Sequence, residues 1–196
     1  MSKDKYIVID TETTGFYNTD DIIQIGMIEL DSNMNIVEIG EDYFNTDRPI
    51  SSKVSNITGL NNKMLEVKSK GMFFEDKIYK YLKYLTSGEY IIIGHNTKFD
   101  VRMLDSNLER AGLGKTKFKN SICTMNKYKH RVGLKMSNGK LKNPKLGELF
   151  NYALRAGNVS KGQIDNLFNK MTGQNGKAHE ALYDAYMTYI SLRILK

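Results

Sequence analysis

The chain has 196 residues, of which 40% are hydrophobic and 26% charged, and its formal net charge is +7. This length and balance are typical of a soluble globular protein with a single domain, residues 1–196, and no apolar run approaches the length of a membrane span. The positive charge favours an acidic partner, nucleic acid first, although a lysine-rich composition alone would give the same total.

The single cysteine, Cys123, excludes an internal disulfide, and no Cys/His spacing resembles a zinc site. The first ten residues, MSKDKYIVID, contain no apolar region long enough for a secretory signal. We therefore expect a cytoplasmic protein without a membrane partner.

Apolar patterning predicts an α/β protein whose sheet begins with three antiparallel strands. Residues 6–10 form a short apolar run that is typical of a strand buried on both faces. Two further strands, 21–30 and 36–44, are separated by the turn-like sequence DSNMN. Residues 90–93 read as a fourth strand, of the buried type, and 121–125 as a short fifth one.

Helices are predicted where apolar residues recur at three- and four-residue spacing. Four segments have this spacing: 73–85, 98–111, 145–154 and 180–195. Residues 51–65 are polar and irregular, and 157–177 are loop-like with at most a short helix around 164–171. Three strands followed by helix–strand alternation indicate an α/β sheet with a leading antiparallel meander.

Two carboxylates stand where the first strand ends. The motif DTETTG at 10–15 places Asp10 and Glu12 two positions apart, so both side chains project to the same side of the strand. Carboxylates held this close repel, and burial raises at least one pKa unless a cation lies between them. Mg²⁺ is the usual partner for such oxygens. The alternative, on this motif alone, is a solvated loop in which Asp or Thr caps a turn.

Two later segments carry further candidate site residues. HNTKFD at 95–100 follows the strand YIII and puts Asp100 in the first turns of a helix, near a strand end where ligands of open α/β folds gather. HEALYD at 179–184 holds His179 and Asp184, which lie about 140° apart on an ideal helix. If both serve one site, His179 must stand at or before the helix start. Taken singly, Asp100 and His179 are also explained as ordinary helix-start residues.

Together these segments resemble the three motifs of the DEDDh, or DnaQ-like, exonuclease family, which includes the proofreading subunit of bacterial replicative polymerase. The family pattern is D-x-E, N-x-x-x-D and H-x-x-x-x-D. All six positions are matched, by Asp10, Glu12, Asn96, Asp100, His179 and Asp184. The likeness runs from residue 7 to about 192 and includes DDIIQIG, NITGL and PKLGELF. Two features depart from it: many relatives carry an acid where this chain has Cys123, and the insert 159–177 is longer than usual.

The resemblance implies a ribonuclease H-like fold, with a central mixed sheet and flanking helices, and a 3′-to-5′ exonuclease that uses two Mg²⁺ or Mn²⁺ ions. Asp10 would bridge the ions, Glu12 and Asp184 would complete one site, and Asp100 would support the other, partly through water. His179 would be the general base for the attacking water. The products would be nucleoside 5′-monophosphates.

The substrate that we expect is the 3′ end of single-stranded DNA, in replication or repair, with a polymerase as a candidate partner. Two alternatives stay open: an RNA 3′-end trimming enzyme with the same chemistry, and an inactive nucleic-acid-binding module. Comparing rates on matched DNA and RNA strands separates the two enzymes.

Substrate affinity must come from outside the acidic centre, and one segment is strongly basic. Between residues 110 and 147 the chain has eleven Lys or Arg residues and no Asp or Glu. Within it, NKYKHRVGLK predicts a strand-binding surface in which cations track phosphates and aromatic faces accept bases. The residues concerned are Lys127, Tyr128, Lys129 and Arg131. The alternative is a solvated lysine-rich loop.

Three further residues are implied by the resemblance. Thr13 and Phe16 follow the first motif and are candidates for contacting the terminal nucleotide, although Phe16 equally fits a core position. Asn96 would order the site, because an amide is a poorer metal ligand than a carboxylate. Phe99 is expected to pack in the core.

Overall fold

The computed structural model describes residues 4–196; residues 1–3, which the predicted domain also includes, lie outside the described part. A five-stranded mixed sheet forms the centre, in the order β3–β2–β1–β4–β5. The strands are β1 (Lys5–Thr13), β2 (Ile22–Leu30), β3 (Ile36–Tyr43), β4 (Tyr90–Gly94) and β5 (Asn120–Cys123). The first three pair antiparallel, and β4 and β5 add in parallel beyond β1. The predicted mixed sheet led by three antiparallel strands is confirmed.

Helices cover both faces of this sheet. They are α1 (Ser52–Thr58), α2 (Asn62–Ser69), α3 (Phe74–Lys77), α4 (Leu82–Leu85), α5 (Thr97–Arg110), α6 (Thr124–Val132), α7 (Leu146–Ala156), α8 (Lys161–Thr172) and α9 (Ala181–Ile194). Within residues 4–196 none of them has both the length and the apolar character that a bilayer crossing requires.

The core lies in two layers because alternate side chains of β1 point to opposite faces. Ile7 and Ile9 pack with residues of α5, whereas Val8 packs with residues of α7 and α9. All three are at most 1% exposed. The first strand is therefore buried on both faces just before the two carboxylates, as its unbroken apolar run predicts.

Two predictions about where helices lie are wrong in detail. Residues 51–65 are not irregular: α1 and the start of α2 lie there, because the Ser51 and Asn61 side chains accept backbone N–H groups at the two helix starts. The expected helix 73–85 is divided, since a 3₁₀ turn, Ile78–Tyr81, separates α3 from α4.

The second half of the chain is more helical than predicted. The insert 159–177 contains the 12-residue α8, whose Phe168 packs edge-on against Tyr183 of α9 at 5.1 Å between ring centroids. The fifth strand ends at Cys123, and the next residues form α6.

Candidate active site

The packing of α9 on β2 brings the first and third motifs together. Asp10 and Glu12 lie in the last part of β1, and Asp10 pairs with Gly26 of β2. A Cβ atom at Gly26 would lie 2.3 Å from the backbone of Ala181, so the first turn of α9 rests directly on the strand. Asp184, in that first turn, therefore lies over the carboxyl end of β1.

Asp100 is joined to the first motif by hydrogen bonds. It lies in the first turn of α5, is 3% exposed, and accepts from the backbone N–H of Thr11 at 3.1 Å and from its hydroxyl at 2.9 Å. Because Thr11 separates Asp10 from Glu12, these bonds fix the second motif against the first. All four predicted carboxylates are thus at one edge of the sheet.

The turn before α5 explains the neighbouring motif residues. Asn96 has the left-handed backbone angle φ of 74°, which asparagine tolerates better than most residues. Both ring nitrogens of His95 are engaged, by the Thr124 hydroxyl at 3.1 Å and the Pro144 carbonyl at 3.0 Å. Burial lowers the pKa of His95. His95 is therefore a structural residue, whereas the role of Asn96 stays a prediction.

His179 stands just before α9, as the five-residue spacing to Asp184 requires. Its backbone is left-handed, with φ of 66°, and its N–H donates to Asp184 Oδ1 at 3.1 Å. This turn brings the exposed imidazole over the first turn of the helix. Ligand atoms of Glu12, His179 and Asp184 all lie within 4.8 Å of one another. The three side chains form a candidate metal-binding group.

The carboxylates are electrostatically strained. Burial, followed by the charges of the three neighbouring acids, raises the pKa of Asp10 well above its ordinary range. Burial first, then Asp184 and Asp100, raises the pKa of Glu12 to about 8. Burial also raises the pKa of Asp100 to about 7, against the Thr11 hydrogen bonds, and that of Asp184 to about 6.

These four acids lack a compensating side-chain cation. Within residues 4–196 no Lys or Arg forms an ion pair or hydrogen bond with any of them. Buried like charges without a partner are costly unless they hold a metal. The oxygen-rich donor set fits divalent cations such as Mg²⁺ or Mn²⁺.

The segment that carries His179 is tied back to the sheet by three residues that the sequence analysis did not assign. Buried Gln24 of β2 accepts from Ala181 N–H at 3.3 Å and donates to Glu41 of β3 at 2.9 Å. Gln174, between α8 and His179, also donates to Glu41 at 2.9 Å. Gln24 had a signal in the sequence, since it is the polar residue inside the apolar run IIQIG. The insert is thus anchored beside the site.

A narrow cavity of about 90 Å³ adjoins Glu12. Its lining comes from β1, α1, α5 and the turn after β1, and includes Thr11, Glu12, Thr13, Phe16, Val54, Ile57 and Phe99. The Thr13 hydroxyl donates to the Gly15 carbonyl at 2.6 Å, which shapes the turn. Phe16 is 60% exposed, with its ring centroid 6.1 Å from that of half-buried Phe99. Phe16 is therefore a surface residue at this narrow cavity, which we call the slot. The sequence analysis did not predict that Val54 and Ile57 of α1 would line it.

The basic segment, residues 110–147, does not form the strand-binding surface in the way that the sequence predicts. Tyr128 is 3% exposed and packs in the core, so the expectation that its ring accepts a base is wrong. Arg131 donates to the carbonyl of Leu195, which at 1.5 Å per helical residue is about 16 Å along α9 from Asp184. Lys127 lines a cavity with Leu195 at that same end. The apolar face of α6 buries Tyr128 and carries these cations away from the carboxylates.

Acids from elsewhere in the fold neutralise part of the segment. Arg110, Lys115, Lys119 and Lys142 form ion pairs with Asp21, Glu109, Asp4 and Glu148, respectively. Six lysines have no ion pair with a residue that the structure describes: Lys117, Lys127, Lys129, Lys135, Lys140 and Lys145. Substrate binding by Lys129 stays a prediction.

The chain belongs to the exonuclease family, since the RNase T family model, described as exonuclease, matches residues 7–192. It is 32% identical over 110 residues to the PolC-type DNA polymerase III of Caldanaerobacter subterraneus subsp. tengcongensis. It is 31% identical over 114 residues to the 3′-5′ exonuclease DinG of Bacillus subtilis. These alignments cover 56% and 57% of this chain but only 7% and 12% of the relatives.

Solved structures show the same fold. E. coli exonuclease I in complex with a dT13 oligonucleotide superposes with a TM-score of 0.70 at 18% identity, over 98% of this chain and 40% of that one. Exonuclease X in complex with 5′ overhanging duplex DNA gives 0.63 at 24% identity, over 97% and 90%. The predicted ribonuclease H-like fold and the predicted DnaQ-like family are confirmed.

Proposed function

We propose that this chain is a metal-dependent exonuclease that removes nucleoside 5′-monophosphates from the 3′ end of DNA. One observation carries the proposal: two buried carboxylates, Asp100 and Asp184, and two half-buried ones, Asp10 and Glu12, converge beside an exposed histidine. No Lys or Arg among the described residues forms an ion pair with any of the four. Family membership supports the hydrolysis of a phosphodiester, and the relative named as a 3′-5′ exonuclease supports the polarity.

Asp10, Glu12, Asp100 and Asp184 would hold two Mg²⁺ or Mn²⁺ ions. A bound metal pair stabilises the attacking and leaving oxygens of an in-line displacement. His179 would receive the proton of the attacking water, for which its exposed place before α9 is suited. Asp184 accepts the His179 N–H and thereby holds that backbone in position.

DNA is the substrate that the relatives favour. The similar chains include PolC-type DNA polymerases, and the similar structures include exonuclease I in complex with dT13 and dA16 oligonucleotides. The terminal nucleotide would lie against the mouth of the slot beside Glu12, where Thr13 and Phe16 meet it. We extend the proposal to a polymerase partner, which the PolC-type relatives support, and to a cytoplasmic setting.

The decisive experiment uses matched DNA and RNA oligonucleotides labelled at either the 5′ or the 3′ end. With Mg²⁺ or Mn²⁺ we expect the 5′-labelled DNA strand to shorten stepwise and the 3′ label to leave at once as a mononucleotide, whereas EDTA stops both. No loss from the 3′ end would refute the proposal. Much faster cleavage of RNA would replace DNA with RNA as the substrate.

Asp10→Ala tests the site itself. It should lower cleavage by about 10²-fold or more while strand binding is retained, because a central carboxylate is lost and the fold is kept. Glu75→Ala is the matched control, since it removes an exposed acid of α3. Equal activity of the Asp10→Ala variant and the wild type would exclude this carboxylate from the chemistry.

A further inference from the structure

The loop at residues 14–21, between β1 and β2, presents two aromatic side chains to solvent. Phe16 is 60% exposed and Tyr17 is 77% exposed, the largest value among the large hydrophobic residues that the structure describes. The side chain of Tyr17 makes no hydrogen bond or ring contact with residues 4–196. Exposure of such a ring gives no folding free energy, so packing does not explain its presence here.

The loop is nevertheless held firmly by two arginines of α5. Arg102 donates to the Asn18 side chain at 2.6 Å and to the Phe16 carbonyl at 2.9 Å. Arg110 donates to the Asn18 carbonyl at 2.7 Å and to the Asp20 carbonyl at 3.0 Å. These bonds hold the backbone on both sides of Tyr17.

A buried asparagine and an internal turn complete this support. Asn107, 4% exposed, donates to the Asp20 carbonyl at 3.2 Å and accepts the Ile22 N–H at 3.2 Å. The Tyr17 N–H donates to Asp20 Oδ2 at 2.7 Å. The ring is therefore displayed by a loop whose carbonyls and amides are already bonded, which lowers the entropy cost of binding a ligand.

The chain neighbours of Tyr17 line two different cavities. Phe16 lines the slot beside Glu12, and Asn18 lines a second cavity of about 870 Å³. That larger cavity includes Lys98 and Arg102. A strand that runs from the slot toward Lys98 and Arg102 would pass the loop that carries Tyr17.

We propose that Tyr17 is a stacking site for an unpaired nucleobase of the substrate strand, and that Arg102, Asn107 and Arg110 are positioning residues for it. The inference rests on the proposed nuclease function, in which the terminal nucleotide lies at the mouth of the slot and the penultimate base meets Tyr17. An exposed aromatic face stacks on any base, so this site supplies affinity without sequence preference.

The test measures binding of a short single-stranded DNA, without metal and in EDTA, by fluorescence anisotropy. Tyr17→Ala should weaken binding by about 5- to 100-fold, the usual effect of removing one base-stacking ring. Tyr17→Phe keeps the ring and should restore most of the lost affinity. Tyr79→Ala is the matched control, since Tyr79 is 60% exposed on the 3₁₀ turn Ile78–Tyr81.

A spectroscopic readout separates stacking from a general effect on the fold. 2-Aminopurine at the penultimate position should lose fluorescence on binding to the wild type and retain it with Tyr17→Ala. The same probe placed ten nucleotides away should respond equally to both proteins. An unchanged affinity for Tyr17→Ala, or an unchanged penultimate signal, would refute the stacking site.

Arg102→Ala tests the positioning role. It should weaken binding, and Tyr17→Ala should cost less in that background than in the wild type, because the ring is no longer held in place. Strictly additive effects would refute the coupling. If Tyr17→Ala weakens binding but the wild type cleaves no DNA, the proposed function alone is refuted. If the wild type cleaves DNA but Tyr17→Ala binds it as tightly as the wild type does, this inference alone is refuted.

Discussion

The residues of the acidic cluster serve binding at the expense of stability. Asp10, Glu12, Asp100 and Asp184 are brought together by backbone packing and by the Thr11 hydrogen bonds, not by attraction to one another. In the metal-free protein their repulsion and desolvation oppose folding. The stability of this protein should therefore depend on metal and on pH in a linked way.

The pH dependence of metal-free stability has a definite sign. The pKa values of Asp184, Asp100 and Glu12 are raised to about 6, 7 and 8. A raised carboxyl pKa contributes stability at acid pH that is lost as pH rises through the folded value. We expect the Tm in EDTA to fall between pH 6 and 8, and Mn²⁺ to raise it more at pH 8 than at pH 6. Calorimetry at both pH values checks this, and a flat profile in EDTA would contradict it.

Asp184→Asn is the control variant for that profile. Because it removes one charge without changing shape, its Tm in EDTA at pH 8 should exceed that of the wild type, by about 2–4 °C for each kcal/mol gained. The gain from Mn²⁺ should shrink. A lower Tm than the wild type would show that the charge of Asp184 strengthens the hydrogen bond from His179 N–H by more than it adds in repulsion.

The position of His179 is compatible with two roles. It is the proposed general base, and it also lies close enough to Glu12 and Asp184 to be a metal ligand. As a base, it should affect turnover but not metal affinity. His179→Ala should lower kcat by about 10²- to 10⁴-fold. Titration calorimetry with Mn²⁺ should show an affinity within a few-fold of the wild type. A large loss of Mn²⁺ affinity would identify the imidazole as a ligand instead.

Among the elements, the contact between β2 and α9 does most to place the site. The Gly26 backbone and that of Ala181 approach too closely for any side chain. Gly26→Ala should destabilise the protein by about 1–3 kcal/mol and lower activity further, since Asp184 shifts with its helix. Gly147→Ala is the matched control, because a Cβ there meets nothing within 4 Å and alanine favours the helix α7. Urea unfolding measures both, and equal stabilities would contradict the packing argument.

The elements also show where reasoning from sequence ends. The strands and the two longest helices contain apolar runs or stripes that the sequence displays directly, and their predicted bounds agree with the structure to within a few residues. The short helices α1 and α2 depend on caps at Ser51 and Asn61, and their few buried residues leave no stripe to detect. The helix α6 was not predicted because its lysines are typical of a surface loop. In the structure one face of α6 is buried, with Tyr128 packed in the core.

At the scale of the whole molecule, charge is distributed unequally between the two ends of the sheet. Lys98, exposed and without an ion pair among the described residues, lies in the first turn of α5, two positions before Asp100, whereas Arg131 bonds to the end of α9 that is remote from Asp184. Lys98→Ala should weaken single-strand binding and reduce the slope of log K against log salt by about 0.7. Arg131→Ala should leave that slope unchanged. Equal slopes for the two variants would contradict this arrangement.

The catalytic candidates could be predicted from sequence because three motifs in fixed order carry them, although the contacts that hold them could not. Gln24, Glu41 and Gln174 are far apart in the chain and meet only in the fold. The positions of Lys127 and Arg131 likewise depend on the direction of α6, which charge counting does not give.

The acidic cluster finally has a consequence for how variants of this protein are selected. Most proteins sit just above a stability threshold, and substitutions that relieve local strain are readily found. Here the most strained positions are Asp10, Glu12 and Asp100. A thermal screen run in chelating buffer would therefore enrich uncharged residues at these positions. The selected variants would be more stable to heat but catalytically inactive. Heat tolerance improves without that loss only if each round also demands that DNA be degraded.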